Sequence, residues 1–441
     1  MIDTNNNNGG KATTNSKRKH DSSMSAKVKK SKIVVPPLND RGTGQLHSFG
    51  TGDCGQLGLG HGDKLLKRNY PSPVKDIEGN KILQVAAGGM HTVALDDKGK
   101  VWTFGLNDDF ALGRPTKEEE DSFQPGAVDL GARNVVQISA GDSHSAALTE
   151  TGDVYAWGTF KDMNGNFGLI PGNDKKCWDK PQLISDAVND KVFKIASGDN
   201  HLVMLTSDGR IFTCGTGEQG QLGRVVDKRI TRSQTKVSTR DLLLTPTEIK
   251  IRKKFRDVWC GNFSTYCRTE RYNEIWVFGL NNYYQLGLEN MDIVTVPTRS
   301  PGFLGITWIQ IAAGQHHAVA LDEDGKVYSL GRGTDGRLGL GEDNAPEAIS
   351  LPTLIPALTD SRIVQVAAGL STAYAVAADG KLHAWGCGVN YQLGTGSTDD
   401  LYEPQPLEHM VIDGKKSDFS SKAVYVSAGG QHVTVTIRKT V

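Results

Sequence analysis

Ile82-Leu83-Gln84-Val85-Ala86-Ala87-Gly88-Gly89-Met90-His91-Thr92-Val93-Ala94-Leu95-Asp96-Asp97-Lys98-Gly99-Lys100-Val101-Trp102-Thr103-Phe104-Gly105 is one unit of a repeat. An apolar run ends at Gly88. A second run, Thr92–Leu95, ends in Asp96-Asp97-Lys98-Gly99, and a third ends at Phe104-Gly105. Apolar β-formers bounded by Asp and Gly predict antiparallel hairpins. The first turn recurs at Gly88, Gly141, Gly198, Gly261, Gly314, Gly369 and Gly429, separated by 53 to 63 residues. The end of the third run recurs at Gly50, Gly105, Gly158, Gly215, Gly279, Gly331 and Gly386.

Seven such units predict an all-β fold, a seven-bladed β-propeller. The period is too long for a WD repeat, the Gly-Gly doublet of kelch blades stands in only two of the seven units, and no helical period separates the strands. The chain begins mid-unit, at Gln45–Gly50, and ends mid-unit, after Gly429. One N-terminal strand is therefore expected to join the C-terminal strands in a shared blade, which removes two sheet edges.

Residues 41–441 are assigned to the propeller and 1–40 to a disordered basic tail. Within 1–39, eight Lys and Arg oppose only Asp3 and Asp21, and little is apolar before Ile33. Lys17-Arg18-Lys19 and Lys27-Val28-Lys29-Lys30 resemble a two-part nuclear import signal, and their charge suits DNA phosphates. A second basic segment, 224–256, interrupts the ring with eleven Lys and Arg against Asp227, Asp241 and Glu248. Long loops in compact domains are commonly functional, and this one is read as a partner-binding insertion. No signal peptide or apolar run of membrane length is read, so no membrane association is expected. The six cysteines form no Cys-x-x-Cys and are read as reduced thiols of an intracellular protein.

One unit departs from the rest. The step from the aromatic-Gly end to the following Leu-Gly-like glycine is eight residues in six units, but ten between Gly158 and Gly168. The insertion reads Phe160-Lys161-Asp162-Met163-Asn164-Gly165-Asn166-Phe167 and carries an Asn-Gly turn signal. It is read as a protruding hairpin offered to a partner. Strand alternation puts it on one face with Asp53, Asp142, Asp199, Asn200, His316, His317 and His432. The histidine recurring as His91, His144, His201, His317 and His432 reads as structural, a ring N–H tying a turn to a neighbouring carbonyl. Asp142, Asp199 and His316 do not recur and are better functional candidates. Trp102, Trp157, Trp276 and Trp385 are read as core at the aromatic-Gly end. Nothing in the chain matches a catalytic serine elbow, a P-loop or a His-Glu-x-x-His site, so no bond-making chemistry, cofactor or metal is expected.

Ala87-Gly88-Gly89-Met90-His91, Ser139-Ala140-Gly141-Asp142-Ser143-His144, Gly217-Glu218-Gln219-Gly220-Gln221-Leu222-Gly223-Arg224, Gly314-Gln315-His316-His317 and Asn390-Tyr391-Gln392-Leu393-Gly394 resemble the regulator of chromosome condensation family. The resemblance runs over about 41–438, the odd unit included. It implies a chromatin-bound nuclear guanine-nucleotide exchange factor for the small GTPase Ran. Position by position, it implies that Phe160–Ile170 is a wedge pressed on the GTPase phosphate-binding loop. It further implies that Asp53, Asp142, Arg224, His317 and His432 engage Ran. The family has Asn and Asp where this chain has Asp199 and Asn200. The resemblance also places Arg232 and Arg240 in a loop that docks on the nucleosome's acidic patch. The alternative reading is a propeller scaffold or chromatin adaptor without exchange activity. A third, an ultraviolet-sensing relative, needs repeated Gly-Trp-Arg-His-Thr motifs, which this chain lacks.

Overall fold

The computed structural model describes residues 42–62, 66–77, 79–224, 238–344 and 346–439. The tail with Lys17, Arg18, Lys19, Lys27, Lys29 and Lys30, and the part of the basic insertion that carries Arg232, lie outside the described residues. Among the described residues no helix is long and apolar enough to cross a membrane.

Seven four-stranded antiparallel sheets follow one another along the chain. Their inner strands are Ile82–Ala87, Val135–Ala140, Val192–Ser197, Phe255–Cys260, Trp308–Ala313, Ile363–Ala368 and Lys422–Ala428. Each packs on the next and the last on the first, closing a ring of blades around a channel of about 560 Å³. The second strand of a blade, such as His91–Asp96 or His144–Thr149, is buried at every position. Neighbouring blades cover both of its faces, so its middle, Val93-Ala94-Leu95 or Ala146-Ala147-Leu148, reads as a continuous apolar run rather than an alternation.

Two side-chain latches join blade to blade. Gln84 donates to the Ile138 carbonyl at 3.0 Å and accepts from its N–H at 2.9 Å. Gln137 does the same to Ile195, Gln310 to Val366 and Gln365 to Val426. A carboxamide carries the donor and acceptor of a peptide unit, so it extends hydrogen bonding across a gap between sheets. Lys194 replaces the glutamine in the third blade and pairs with Asp257, which also accepts from Arg268.

The second latch is the recurring histidine. His91 Nε2 lies 2.9 Å from Ser145 Oγ, His144 Nε2 3.1 Å from Ser197 Oγ, and His201 Nε2 3.0 Å from Thr265 Oγ1. His432 closes the ring on Thr92 Oγ1 at 2.8 Å. The partner of Nε2 is a hydroxyl of the following blade, and the backbone of that blade at His144 and Asp142 also hydrogen-bonds His91. Burial pushes His91 down to about 4, and His144, His201, His317 and His432 to about 3. Free imidazoles protonate near 6.5, so these groups favour the fold above that pH and lose their contribution as pH falls toward their folded values. Five of them acting together give a slope of up to about 7 kcal/mol per pH unit. We expect the melting temperature to fall steeply between pH 6 and 4.5. A flat profile across that interval in a thermal-denaturation series would contradict the assignment.

The shared blade contains two N-terminal strands rather than one. Gln45–Thr51 pairs on one side with His432–Arg438 and on the other with Lys67–Pro73. Lys67–Pro73 lies between Gly60 and Val74, where no repeat landmark marks a strand. Trp157 and Trp385 are fully buried as expected. Trp102 and Trp276 differ. They lie three residues before their glycines, at the one half-buried position of each strand. Each indole N–H donates to a carboxylate, of Asp96 at 3.1 Å and Glu274 at 3.2 Å, and a lysine covers each ring.

Candidate functional site

The register pairs His144↔Gly158, His201↔Gly215 and His432↔Gly50 put each Gly-x-x-His turn and each aromatic-Gly end at the same end of its sheet. The inserted segment emerges at that end of the second blade. Phe160–Asp162 and Gly165–Gly168 form an antiparallel hairpin, with Phe160↔Gly168, Lys161↔Asn166 and Asp162↔Gly165 as pairs. Its central turn residues are Met163 and Asn164, one position before the Asn-Gly dipeptide that signalled it. The Asp162 side chain accepts from the Asn164 N–H at 2.8 Å, and Gly165 takes φ +104°. That left-handed backbone favours glycine.

The hairpin has a buried root and an exposed tip. Phe160 is fully buried and tilts against the His144 ring at 4.6 Å. Met163 is 86 % exposed, a level that leaves it no role in the core. Phe167 packs partly against the cluster that contains Phe160, Leu169 and Leu244.

Neighbouring blades hold both flanks. Asn200 Oδ1 accepts from the Lys161 N–H at 2.7 Å. Asp109 lies 2.6 Å from Lys161 Nζ and accepts from Asn166 Nδ2 at 2.9 Å. Asn166 also approaches Cys177 Sγ at 3.0 Å. On the far flank stands the short helix Thr239–Leu244, capped by Ser238. Its Arg240 donates to the Phe167 carbonyl at 2.5 Å and to the Asn173 carbonyl at 2.9 Å. Asp241 accepts from Gly172 N–H at 2.8 Å. At Gly168 (φ +128°) a Cβ would stand 2.4 Å from Arg240 Nη2, so only glycine lets the guanidinium close over the hairpin.

Asp142 and Asp199 line the channel mouth beside the hairpin. The Asp142 N–H donates to the Asp199 carbonyl at 2.8 Å. Burial pushes the Asp199 carboxyl up to about 7, against the pull of Asn262 Nδ2 at 2.7 Å and reinforced by the charge of Asp142. The swapped pair is thereby explained in geometry: Asn200 reaches the hairpin, while Asp199 turns to the channel and Asn262. Asp53 is exposed at the same end. His316 is half-buried, with Nδ1 3.0 Å from Asn282 Oδ1 and its ring 5.0 Å from that of Tyr283. Burial, then the charges of Arg332 and Arg337, push it down to about 4. Among the described residues no group of three or more His, Cys, Asp or Glu could hold a metal ion.

A family model described as RCC1-like domain matches residues 45–435. The chain belongs to the RCC1-like family. It is 44 % identical over 430 residues to the regulator of chromosome condensation of Xenopus laevis, covering 95 % of this chain and 96 % of that one. It is 31 % identical over 453 residues to the guanine nucleotide exchange factor SRM1 of Saccharomyces cerevisiae, covering 91 % and 88 %. The crystal structure of Prp20p from the same yeast superposes with a TM-score of 0.81 at 30 % identity, over 90 % of this chain and 92 % of that one. That structure was described together with the binding of Prp20p to Gsp1p and histones.

Several residues assigned by resemblance take other places in this RCC1-like propeller. His317 and His432 are fully buried, so neither ring can touch a partner. His432 is one of the blade-joining latches, and His317 stands at the same place in its unit without a hydroxyl partner among the described residues. Arg224 directs its guanidinium at its own loop, to Thr213 and to the carbonyls of Leu242, Leu243 and Thr245. Arg114 does likewise in the first blade, on Thr103, Asp121 and Gln124. The shared Leu-Gly-Arg of 112–114 and 222–224 was the available signal that this arginine is structural. Arg240 grips the hairpin instead of facing outward. Asp109 and Asp241 were missed: the residue type at the place of Asp109 varies from unit to unit, and Asp241 lies in the insertion.

A second hairpin also escaped the sequence reading. His409–Ile412 pairs with Lys415–Asp418 across Asp413-Gly414, both at positive φ. This Asp-Gly dipeptide is a standard hairpin signal, and it accounts for the 60-residue step from Gly369 to Gly429.

Proposed function

We propose that this chain is a guanine-nucleotide exchange factor for Ran, and that the Phe160–Gly168 hairpin is its working element. One observation carries the reading. Among the described residues, a sevenfold repeated face is broken by an inserted hairpin with an exposed tip, a buried root and neighbours gripping both flanks. The exchange-factor name of the yeast relative supports it, as does the described binding of Prp20p to Gsp1p.

The chemistry is differential binding, with no bond made. A factor that favours the nucleotide-free GTPase weakens nucleotide affinity, and nucleotide weakens factor affinity equally. A GDP held near picomolar represents about 16 kcal/mol. Accelerating its release by about 10⁵ takes roughly 7 kcal/mol off the barrier. A rigid hairpin that displaces phosphate-cradling backbone removes several charge-assisted hydrogen bonds at once. Asp53, Asp142, Asp199 and His316 frame the surface on which the GTPase sits.

In this reading the factor works on chromatin in the nucleus. The N-terminal clusters meet an import receptor and DNA phosphates, and the insertion with Arg232 meets the nucleosome's acidic patch. The histone binding described for Prp20p supports the chromatin role.

Release of a fluorescent GDP from Ran, followed with the full chain at one hundredth of the GTPase concentration, tests the proposal. Fast multiple-turnover release is expected. Binding without release by a folded chain would select the adaptor reading.

A further inference from the structure

Lys161 and Asn166 stand directly opposite each other on the two strands of the hairpin. One carboxylate from a different blade holds both. Asp109 Oδ2 takes Lys161 Nζ at 2.6 Å, and Oδ1 takes Asn166 Nδ2 at 2.9 Å. The Asp109 side chain is only 14 % exposed, so water competes weakly for it. It belongs to the loop after the third strand of the first blade, Val101–Gly105, whereas the hairpin extends the second blade.

We propose that Asp109 is a positioning residue, which sets the angle of the hairpin against the first blade by binding one side chain from each of its strands. The inference rests on the reading of the hairpin as the exchange element.

The geometry distinguishes this contact from ordinary surface pairing. A lone exposed ion pair contributes little and constrains little. Here two acceptor oxygens engage a cross-strand pair, which fixes both strands relative to a third element. Burial alone drives the Asp109 carboxyl up, but the hydrogen bonds of Lys161 and Asn166 and the Lys161 charge bring it below the usual carboxylate range. The group is therefore ionised at neutral pH. On the opposite flank Arg240 binds backbone only. Arg240 therefore fixes the root, while Asp109 acts one residue pair nearer the tip. Nothing in the hydrophobic clusters depends on Asp109, so its loss leaves the blades intact. A misplacement of about 1 Å in a catalytic element costs up to about a hundredfold in rate.

The test uses the full chain carrying Asp109→Ala, and Asp109→Asn, which keeps an oxygen for Asn166 but loses the charge opposite Lys161. Two measurements run in parallel. Amide hydrogen exchange of 160–168 should accelerate in Asp109→Ala while the inner strands keep wild-type protection; unchanged protection of the hairpin overturns the proposal. In GDP-release assays, kcat should fall about tenfold or more in Asp109→Ala and by less in Asp109→Asn, with KM for the GTPase within about twofold. A raised KM at constant kcat would make Asp109 a contact residue and overturn the positioning role, as would wild-type kinetics. If Asp109→Ala fails to fold, Asp109→Asn carries both readouts. The two readings fail separately: a hairpin-shortened chain with full activity would sink the exchange role of the hairpin, while amide exchange would still decide what Asp109 does.

Discussion

Removal of Met163 and Asn164 is expected to slow catalysed GDP release by about 10³ and leave the fold untouched. The deletion returns the Gly158-to-Gly168 step to the eight residues of the other six units. It withdraws one residue from each strand, so the tip retreats by about 3.4 Å. The root survives: Phe160 stays buried against His144, and Arg240 still finds the Phe167 carbonyl. Met163 is almost fully exposed, so the stability change should stay within about 0.5 kcal/mol. The functional loss is larger. If the tip no longer displaces two phosphate contacts worth about 2 kcal/mol each, release slows by about 10³. A chain that melts like wild type, binds the GTPase and releases GDP about 10³ more slowly would assign exchange to the tip. Undiminished release would move the activity elsewhere on the face.

The site was legible in proportion to its departure from the repeat. A ten-residue step among eights exposed the hairpin, because a periodic chain makes its own exceptions visible. The same periodicity showed that the recurring histidine is structural. Single residues carried over by resemblance fared less well. His317 and His432 look like surface groups in a turn motif, yet both are fully buried in the ring. Which side chain meets which carbonyl across two blades depends on ring curvature, and partners such as Gln84 and Ile138 lie 54 residues apart. No local pattern encodes that pairing. Asp109 was invisible for a related reason: the residue type at its place in the repeated eight-residue loop varies, with Cys54, Gln219 and Tyr283 in other units, and its partners lie on the insertion itself. Trp102 shows the limit of a landmark. Phe104, not Trp102, is the residue that precedes Gly105, and it is fully buried, while Trp102 stands two residues earlier on the strand and is half-buried.

The ring's closure carries the other large expected effect. Deleting residues 42–51 should eliminate the cooperative melting transition of the whole propeller. Gln45–Thr51 is an interior strand of its sheet, so its removal strips hydrogen bonds from His432–Arg438 and Lys67–Pro73 together. Both would expose unpaired backbone groups, and Lys67–Pro73 would lose its only partner strand among the described residues. Leu46 and Phe49 leave with the strand, and both are fully buried. Phe49 meets the Tyr374 ring edge-on at 6.5 Å and so joins the closing blade to the sixth. Phe49→Ala alone should cost about 3–5 kcal/mol, the usual loss for a buried phenylalanine. The latch of His432 on Thr92 and the contact between the last and first inner strands survive the deletion. They therefore separate two models of closure. A surviving sharp transition in the deleted chain would place ring closure in the inner strands and their latches. Its loss, with a measurable but folded Phe49→Ala chain, would place closure in the strand pairing of the shared blade.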